Sequence, residues 1–523
     1  MAATPPAALD CDVLVVGGGI NGAGIARDLA GRGWRVLLVE QDDLASHTSS
    51  SSTKLIHGGL RYLEHMEFAL VRKALAEREV LLRSAPHIMR PLRFVMPHDA
   101  DMRPAWLVRL GLFLYDHLAR REVLPGSTTV ALRAHAAGAP LKPGLRTGFV
   151  YSDGWVDDAR LVVLNAIDAA HRGATVLTRC ACIDARRDGA RWRLRLRDAG
   201  GGVREVVARA LVNATGPWAA QFLGEQLRTP RHRALRLIKG SHVVVPKLFD
   251  HEHAYIFQNP DKRIIFAIPY ESAFTLIGTT DVEHHGDVGA ARIDAGEVDY
   301  LCTQASRCFE RPVRAADVVW SYSGVRPLLD DASGDPSAVT RDYELELEGG
   351  HGVAPLLTVW GGKITTFRRL AEEAADGLTA ALGQRRPAWT RGIPLPGGDL
   401  GPWIGAAQRP DLDFQRFVDA LAERHPQWPA ALRLRLARCY GTRVELLLAG
   451  GALGRAVVPG LHEAELSYLH THEWARTAED VLWRRTKLGL HLGAAERAAV
   501  DDWCLRHWSA PQDVAFAERR QPA

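Results

Sequence analysis

The chain has 523 residues, 47% hydrophobic and 24% charged, enough for two to four domains with sizeable cores and unlike a disordered or disulfide-stapled protein. Lys+Arg 65 against Asp+Glu 61 leaves a net charge of +4, too small and too scattered a surplus for a dedicated nucleic-acid binder. The 7 cysteines are odd in number, only Cys180 and Cys182 lie close together, and no metal-ligand spacing occurs; they read as reduced thiols of a cytoplasmic, metal-free protein.

Residues 1–9 lack a basic stretch followed by a long apolar run, so no signal peptide is expected, and no segment approaches the ~18 apolar residues of a membrane span. An apolar run at 12–16 ends in three glycines, a helical pattern covers 20–32, and a β-branched run at 35–39 ends in Glu40, which together make a strand–helix–strand unit. A polar loop spans 41–54 and an amphipathic helix 68–83. Strand, helix and strand follow at 150–153, 157–170 and 175–178. Residues 191–197 alternate Arg with Trp and Leu, the pattern of a strand with its arginines in water rather than of a basic patch. Further strands are expected at 210–214 and 356–360, an antiparallel sheet across 237–280, and a helix over about 365–382. A Pro/Gly stretch at 392–398 reads as a linker, and the Ala, Leu, Arg and Glu beyond it as a separate helical domain.

Gly17, Gly19 and Gly22 form G-x-G-x-x-G between the first strand and its helix. The first permits a tight turn, the second lets a pyrophosphate approach the backbone, and the third packs helix on strand. The helix N-terminus, with Asn21 in its first turn, offers free N–H groups to phosphate, and Glu40 stands where a carboxylate accepts hydrogen bonds from ribose. An adenine dinucleotide is therefore expected. FAD is favoured over NAD because further contacts recur late in the chain. The strand ending in Ala214-Thr215-Gly216 is one, and Gly361-Gly362-Lys363-Ile364-Thr365, a second glycine turn opening a helix, is another. If that turn faces a flavin, its dipole and Lys363 stabilise the negative charge of reduction.

The segment 48–64 is dense in chemistry. Ser49, Ser50, Lys54 and Leu55 are expected at the cofactor, as is His57, while His57, Arg61 and Tyr62 face a substrate. Arg326 and Arg341 sit beside turns, where a guanidinium fork can grip phosphate or carboxylate, and His242 follows a glycine at the start of a β run.

These segments bring out a resemblance. Residues 17–24, 49–64, 75–82, 155–161, 213–218, 237–242, 277–281, 322–327 and 361–366 are similar to those of flavin-dependent (aerobic, respiratory) glycerol-3-phosphate dehydrogenases, as are His472-Glu473-Trp474 and 483–487. The likeness covers nearly the whole chain. Thr53, where a serine is usual, and Trp360, where phenylalanine is expected, are mild departures.

The resemblance implies an α/β plus α architecture. It comprises a Rossmann-like FAD-binding domain of the D-amino-acid oxidase type, an antiparallel-sheet substrate domain and an all-α C-terminal domain. The FAD-dependent region is expected over 9–390, with FAD-binding segments at about 9–95, 150–225 and 340–390 and substrate segments at about 96–149 and 226–339; the helical domain follows at 391–523. It also implies oxidation of sn-glycerol 3-phosphate to dihydroxyacetone phosphate, with electrons passed to ubiquinone. Arg326 and Arg61, helped by Tyr62 and Arg341, would hold the phosphate, and His57 is the first choice of base, with His242 and Lys363 as rivals.

A quinone acceptor asks for a peripheral contact with the cytoplasmic face of the inner membrane. The apolar run within 103–121, flanked by Arg103, Arg109, Arg120 and Arg121, suits an interfacial helix, though burial against the flavin domain is an equal reading. A glycerol-3-phosphate oxidase using oxygen, or an amine or hydroxy-compound oxidase of the same fold, is the nearest alternative. An FAD-containing RNA-binding protein would need a basic patch with interleaved aromatics, which is not evident. Dimerisation through the C-terminal domain stays open.

Overall fold

The computed structural model describes residues 10–99, 103–229, 233–261, 263–329, 342–350 and 352–508. Arg341, proposed above as a phosphate ligand, lies outside them.

The glycine motif sits on the central strand of an eight-stranded sheet. Cys11–Val16 pairs in parallel with Val36–Val39 on one side and Val203–Asn213 on the other; Thr175–Leu177 and Val353–Trp360 extend the parallel set outward. These strands read as unbroken apolar runs because both faces are covered. On one face Val13, Val15 and Val212 pack under the helices Ile20–Gly31, Asp158–His171 and Phe367–Ala381; on the other Leu14, Leu211 and Trp360 meet Trp192, Leu194 and Phe222. Arg191–Arg197 is a strand that turns Trp192, Leu194 and Leu196 inward, as its alternation requires.

The second sheet has ten strands and is mainly antiparallel. Leu235–Pro246 lies between Phe274–Gly278 and Trp320–Leu329, with His242 opposite Gly278 on one side and Tyr322 on the other. Thr147–Val156 belongs to this sheet, paired with Met89–His98 and with Leu55–Ile56. The expected segment boundary at 150 therefore falls inside a strand, and a piece of the first FAD segment is carried by the substrate sheet. A strand is expected at 150–153, whereas Thr147 and Gly148 already pair with His98 and Pro97.

The C-terminal region has its own core of Phe417, Leu421, Leu436, Tyr440, Leu466, Leu469 and Val481. Among its described residues it is helical except for one short antiparallel pair, Ala456–Val458 with Leu461–His462. The 392–398 stretch is more than a linker. Leu395 is buried and its N–H donates to the Ser84 carbonyl at 2.8 Å, while a Cβ on Gly397 would lie 2.2 Å from the Tyr440 carbonyl oxygen. No helix among the described residues is long and apolar enough to cross a membrane.

Candidate active site

The turn after Cys11–Val16 leaves no room for side chains. Gly17 has φ +110°, and a Cβ there would stand 2.4 Å from the Ala214 carbonyl oxygen; one on Gly22 would stand 1.9 Å from the Gly17 oxygen. The helix Ile20–Gly31 thus starts hard against the sheet with its first N–H groups facing a cavity of about 220 Å³. Gly17, Gly19, Asn21, Glu40, Ser49, Ala214, Thr215, Gly216 and Gly362 all line this cavity. Ser49 Oγ accepts from Ile20 N at 3.0 Å, so it sits at the positive end of the helix. Glu40 accepts from Gly18 N at 2.6 Å and Asp42 N at 2.9 Å, which ties the ribose-side loop to the glycine turn; burial pushes its carboxyl up. Asn21 Nδ2 donates to the Gly361 carbonyl at 3.2 Å, joining the two glycine turns. This cradle of glycine backbone, helix N-terminus and terminal acid fits an extended adenine dinucleotide.

The first cavity continues into a second of about 1370 Å³, lined by Ile20, Ser49, Gly361 and Gly362 in common with it. Here His57, Arg61, Tyr62, His242, Arg326, Lys363, Ile364 and Leu55 come together, although they span more than 300 positions of the sequence. The His57 N–H donates to Thr365 Oγ1 at 3.1 Å, fixing that loop to the second glycine turn. Lys363 Nζ lies 3.8 Å from the centre of the Tyr62 ring, a cation–π contact. Arg326 is an ion pair, as its surroundings in sequence allowed, but one inside the cavity: Nη2 meets Asp281 at 2.7 Å and donates to the Thr280 carbonyl at 2.9 Å. Arg61 makes no ion pair among the described residues, so its charge is available to an anion.

His242 is held from two sides. Its Nε2 is 3.0 Å from Thr53 Oγ1 and its ring stacks on Tyr322. Burial first, then the nearby Lys54 and Arg326 cations, hold its imidazole well below the usual histidine range, so it is neutral at neutral pH.

Two expectations are corrected here. Lys54 does not face phosphate: it is fully buried, with Nζ 2.7 Å from Asp158 Oδ1 and 3.0 Å from the Ser50 carbonyl. A carboxylate far along the chain claims the ammonium, and burial without pairing would be prohibitive. Ser50 likewise turns its hydroxyl back to the His47 carbonyl at 3.2 Å instead of toward the cofactor cavity.

Sequence reasoning singled out neither Asp281, Thr53, Tyr322 nor Asp158 as a functional side chain. All four lie within segments of resemblance, which was the available signal; that Lys54 pairs with Asp158 cannot be read from either position.

The helix Ala105–His117 walls the mouth of the large cavity through Leu107, Val108, Leu110 and Leu114. It buries Leu112 and Tyr115 in the core of the second sheet and turns Trp106, Leu110 and Phe113 outward. The flanking cations are mostly engaged: Arg103 with Glu64, Arg109 with Ser127 and Arg121 with Asp116.

Residues 12–368 match the family of FAD dependent oxidoreductases, and residues 388–504 match the C-terminal domain of alpha-glycerophosphate oxidase. The chain is 52% identical over 94% of both lengths to the glycerol-3-phosphate dehydrogenase of Pseudomonas aeruginosa. It is 49% identical to the aerobic glycerol-3-phosphate dehydrogenase of Escherichia coli, over 95% of this chain and 97% of that one. It is also 50% identical to the D-erythritol 1-phosphate dehydrogenase of Brucella abortus, over 94% of this chain and 97% of that one. A solved glycerol-3-phosphate dehydrogenase from Bacillus halodurans, complexed with FAD, superposes with a TM-score of 0.75 at 28% identity, covering 95% of this chain and 90% of that one. A glycine oxidase from Geobacillus kaustophilus, at 22% identity and a TM-score of 0.55, covers 74% of this chain and 98% of its own and shares the fold alone. With a glycine-built dinucleotide cradle opening into a cationic cavity, and with relatives of this closeness along its whole length, the chain belongs to the FAD-dependent oxidoreductases, in the glycerol-3-phosphate dehydrogenase family.

Proposed function

We propose that the protein oxidises sn-glycerol 3-phosphate at C2 to dihydroxyacetone phosphate. The observation that carries this is the meeting of Arg61, Arg326 and Lys363 in one cavity with a neutral, buried imidazole. Bound FAD supplies the acceptor for the hydride that leaves C2. Arg326, with Arg61, binds the phosphate dianion and fixes the carbon skeleton; its tie to Asp281 sets the direction of the fork. The 2-hydroxyl proton passes to an imidazole. His242 is favoured over His57 because burial keeps it neutral and because Thr53 and Tyr322 fix its ring in the cavity. Lys363, at the second glycine turn, offsets negative charge developing nearby.

A second reading concerns the substrate only. The D-erythritol 1-phosphate relative shares half of its residues with this chain, and the cavity, at about 1370 Å³ including the flavin's share, admits a longer polyol phosphate. The deciding experiment is anaerobic. The purified protein is mixed with glycerol 3-phosphate, D-erythritol 1-phosphate or glycerol, and the flavin band near ~450 nm is followed. Fast bleaching by glycerol 3-phosphate alone supports the first reading, faster bleaching by the erythritol ester supports the second, and bleaching by neither sinks both.

For the acceptor, we propose ubiquinone, reached at the cytoplasmic face of the inner membrane. Supporting it is an apolar outer rim at the cavity mouth, where Met66, Trp106 and Phe113 are 71%, 69% and 51% exposed beside the outward-pointing Arg120. Such a face suits the headgroup region of a bilayer. Turnover of the reduced enzyme with a soluble quinone analogue, compared with oxygen alone, separates this reading from an oxidase; peroxide formed at the quinone rate would overturn it.

A further inference from the structure

We infer that the C-terminal domain is a clamp on the cofactor: its segment 473–487 holds shut the two loops, 40–47 and 50–54, that border the FAD cavities. Arg485 and Asp43 form its central pair and act as positioning residues. The inference rests on the family's FAD and not on the substrate proposed above.

The loop after Glu40 curls over the glycine turn, with Ala45 N donating to the Gly18 carbonyl, and its tip carries Asp43, which is buried. Among the described residues, none of the FAD-binding sheet supplies a cation to Asp43. Arg485 does, with Nη1 and Nη2 at 2.7 and 2.8 Å from the two carboxylate oxygens, and Arg484 Nε adds a third contact at 2.6 Å. Arg485 is fully buried and in turn donates to the Glu473 carbonyl at 2.6 Å. Glu473, also fully buried, grips Arg160 of the helix Asp158–His171, with Arg160 Nη2 at 2.9 Å from Oε1.

The same segment reaches the other loop. Lys487 Nζ is 3.6 Å from Asp157, which caps that helix by accepting from Arg160 N at 3.1 Å. The next residue, Asp158, accepts from Ser52 Oγ and Lys54 Nζ, both at 2.7 Å. Asp480 adds an outer tie to Arg179, at 2.7 Å, whose own N–H holds the Asp42 carbonyl.

Asp43, Arg160, Glu473, Arg485 and Lys487 are charges withdrawn from water, and such charges are stable only in company. Without Arg485, Asp43 keeps only its contact with Arg484, and the loop that carries Glu40 and lines the adenosine side of the cavity loses its main hold. The two loops are therefore closed only when the C-terminal domain is seated, and FAD bound behind them leaves only as fast as the clamp loosens. An ordinary packing role would predict something different, namely equal loss of stability with and without the cofactor.

The test uses the full-length holoenzyme and the variants Arg485→Met, Asp43→Asn and their combination. FAD release on dilution is followed by the rise in free-flavin fluorescence, and the melting temperature is measured with and without FAD. The expected result is release faster by about tenfold or more in each single variant, a smaller FAD-induced rise in melting temperature, and a double variant no worse than the worse single one. Release within about twofold of the parent, with apo and holo melting lowered equally, overturns the clamp. Should Arg485→Met fail to fold, Lys487→Met and Arg179→Gln at the periphery decide the matter, since unchanged release in both would overturn it as well. Because release is read without substrate, a protein that oxidises no glycerol 3-phosphate still answers this question.

Discussion

His242 and Tyr322 lie face to face, with ring centroids 4.8 Å apart and planes 17° from parallel, directly across the antiparallel pair made by their two strands. Thr53 Oγ1 holds the imidazole edge at 3.0 Å, and the Tyr322 hydroxyl donates to the Ser52 carbonyl at 2.9 Å, so ring and loop are fixed by one another. A proton acceptor held this way loses no orientation when substrate arrives.

Replacing His242 by Ala is expected to lower turnover by about 10²- to 10⁴-fold with little change in KM, the usual contribution of a positioned base. Steady-state kinetics and single-turnover flavin reduction check this. The pH profile gives an independent sign. Because His242 is held well below the usual histidine range, turnover should stay level as pH falls through that range. An acid limb centred near ~6.5 that disappears in His57→Ala would transfer the role to His57.

Arg326→Ala is expected to raise KM for the phosphate ester by about 10- to 150-fold, the worth of a charge-assisted hydrogen bond of roughly 1.5–3 kcal/mol. Lysine at this position should recover only part of the loss: with Nη2 held by Asp281 and the Thr280 carbonyl, a guanidinium still has its other N–H groups to turn to a phosphate, whereas an ammonium has a single nitrogen for all of these partners. Asp281→Asn should raise KM less than the alanine variant does. A KM unchanged in Arg326→Ala would move phosphate binding elsewhere.

Gly22→Ala should give colourless protein. Its Cβ would sit 1.9 Å from the Gly17 carbonyl oxygen, so the helix must back away from the sheet and withdraw its N–H groups from the phosphates. The ratio of flavin to protein absorbance reads this directly; full yellow colour would contradict the cradle described above.

Acid should destabilise the protein through His87. The side chain is fully buried against Gly397 and Gly441, and burial with the neighbouring Arg160, Arg438 and Arg443 lowers its pKa to about 3. The unfolded chain binds this proton below ~6.5 and the folded chain only near 3, so stability falls as pH drops through that window and levels off beneath it. At its fullest the effect is on the order of 5 kcal/mol. Denaturant titrations at pH 7 and pH 4 should show a smaller difference in His87→Phe than in the parent, and an equal difference would exclude the residue.

The parts of this architecture that the residues announce are those set by short-range rules. The 12–40 strand–helix–strand unit, the glycine turns and the Arg/Trp/Leu alternation of 191–197 follow from period, backbone geometry and burial, which neighbours in sequence determine. Lys54 shows where such reading ends. Nothing near it reveals that Asp158 waits across the fold, and a lysine among serines looks like a phosphate ligand until its partner is located. The placing of 147–156 in the second sheet fails for a similar reason, because sheet membership is a property of pairing partners and not of the strand itself.

The cofactor site draws on residues from the first strand, from the turn after 213, from the turn at 361 and, through Arg485, from near the chain's far end. A polypeptide emerging from the ribosome therefore cannot assemble it piecemeal. The central strand Cys11–Val16 stays without its neighbour Val203–Asn213 until roughly two hundred residues have been made, and that neighbour waits longer still for Val353–Trp360. Such long waits leave strand edges bare and favour association with other chains. Flavin can therefore be captured only near the end of synthesis, once the late strands and the C-terminal segment have joined the fold.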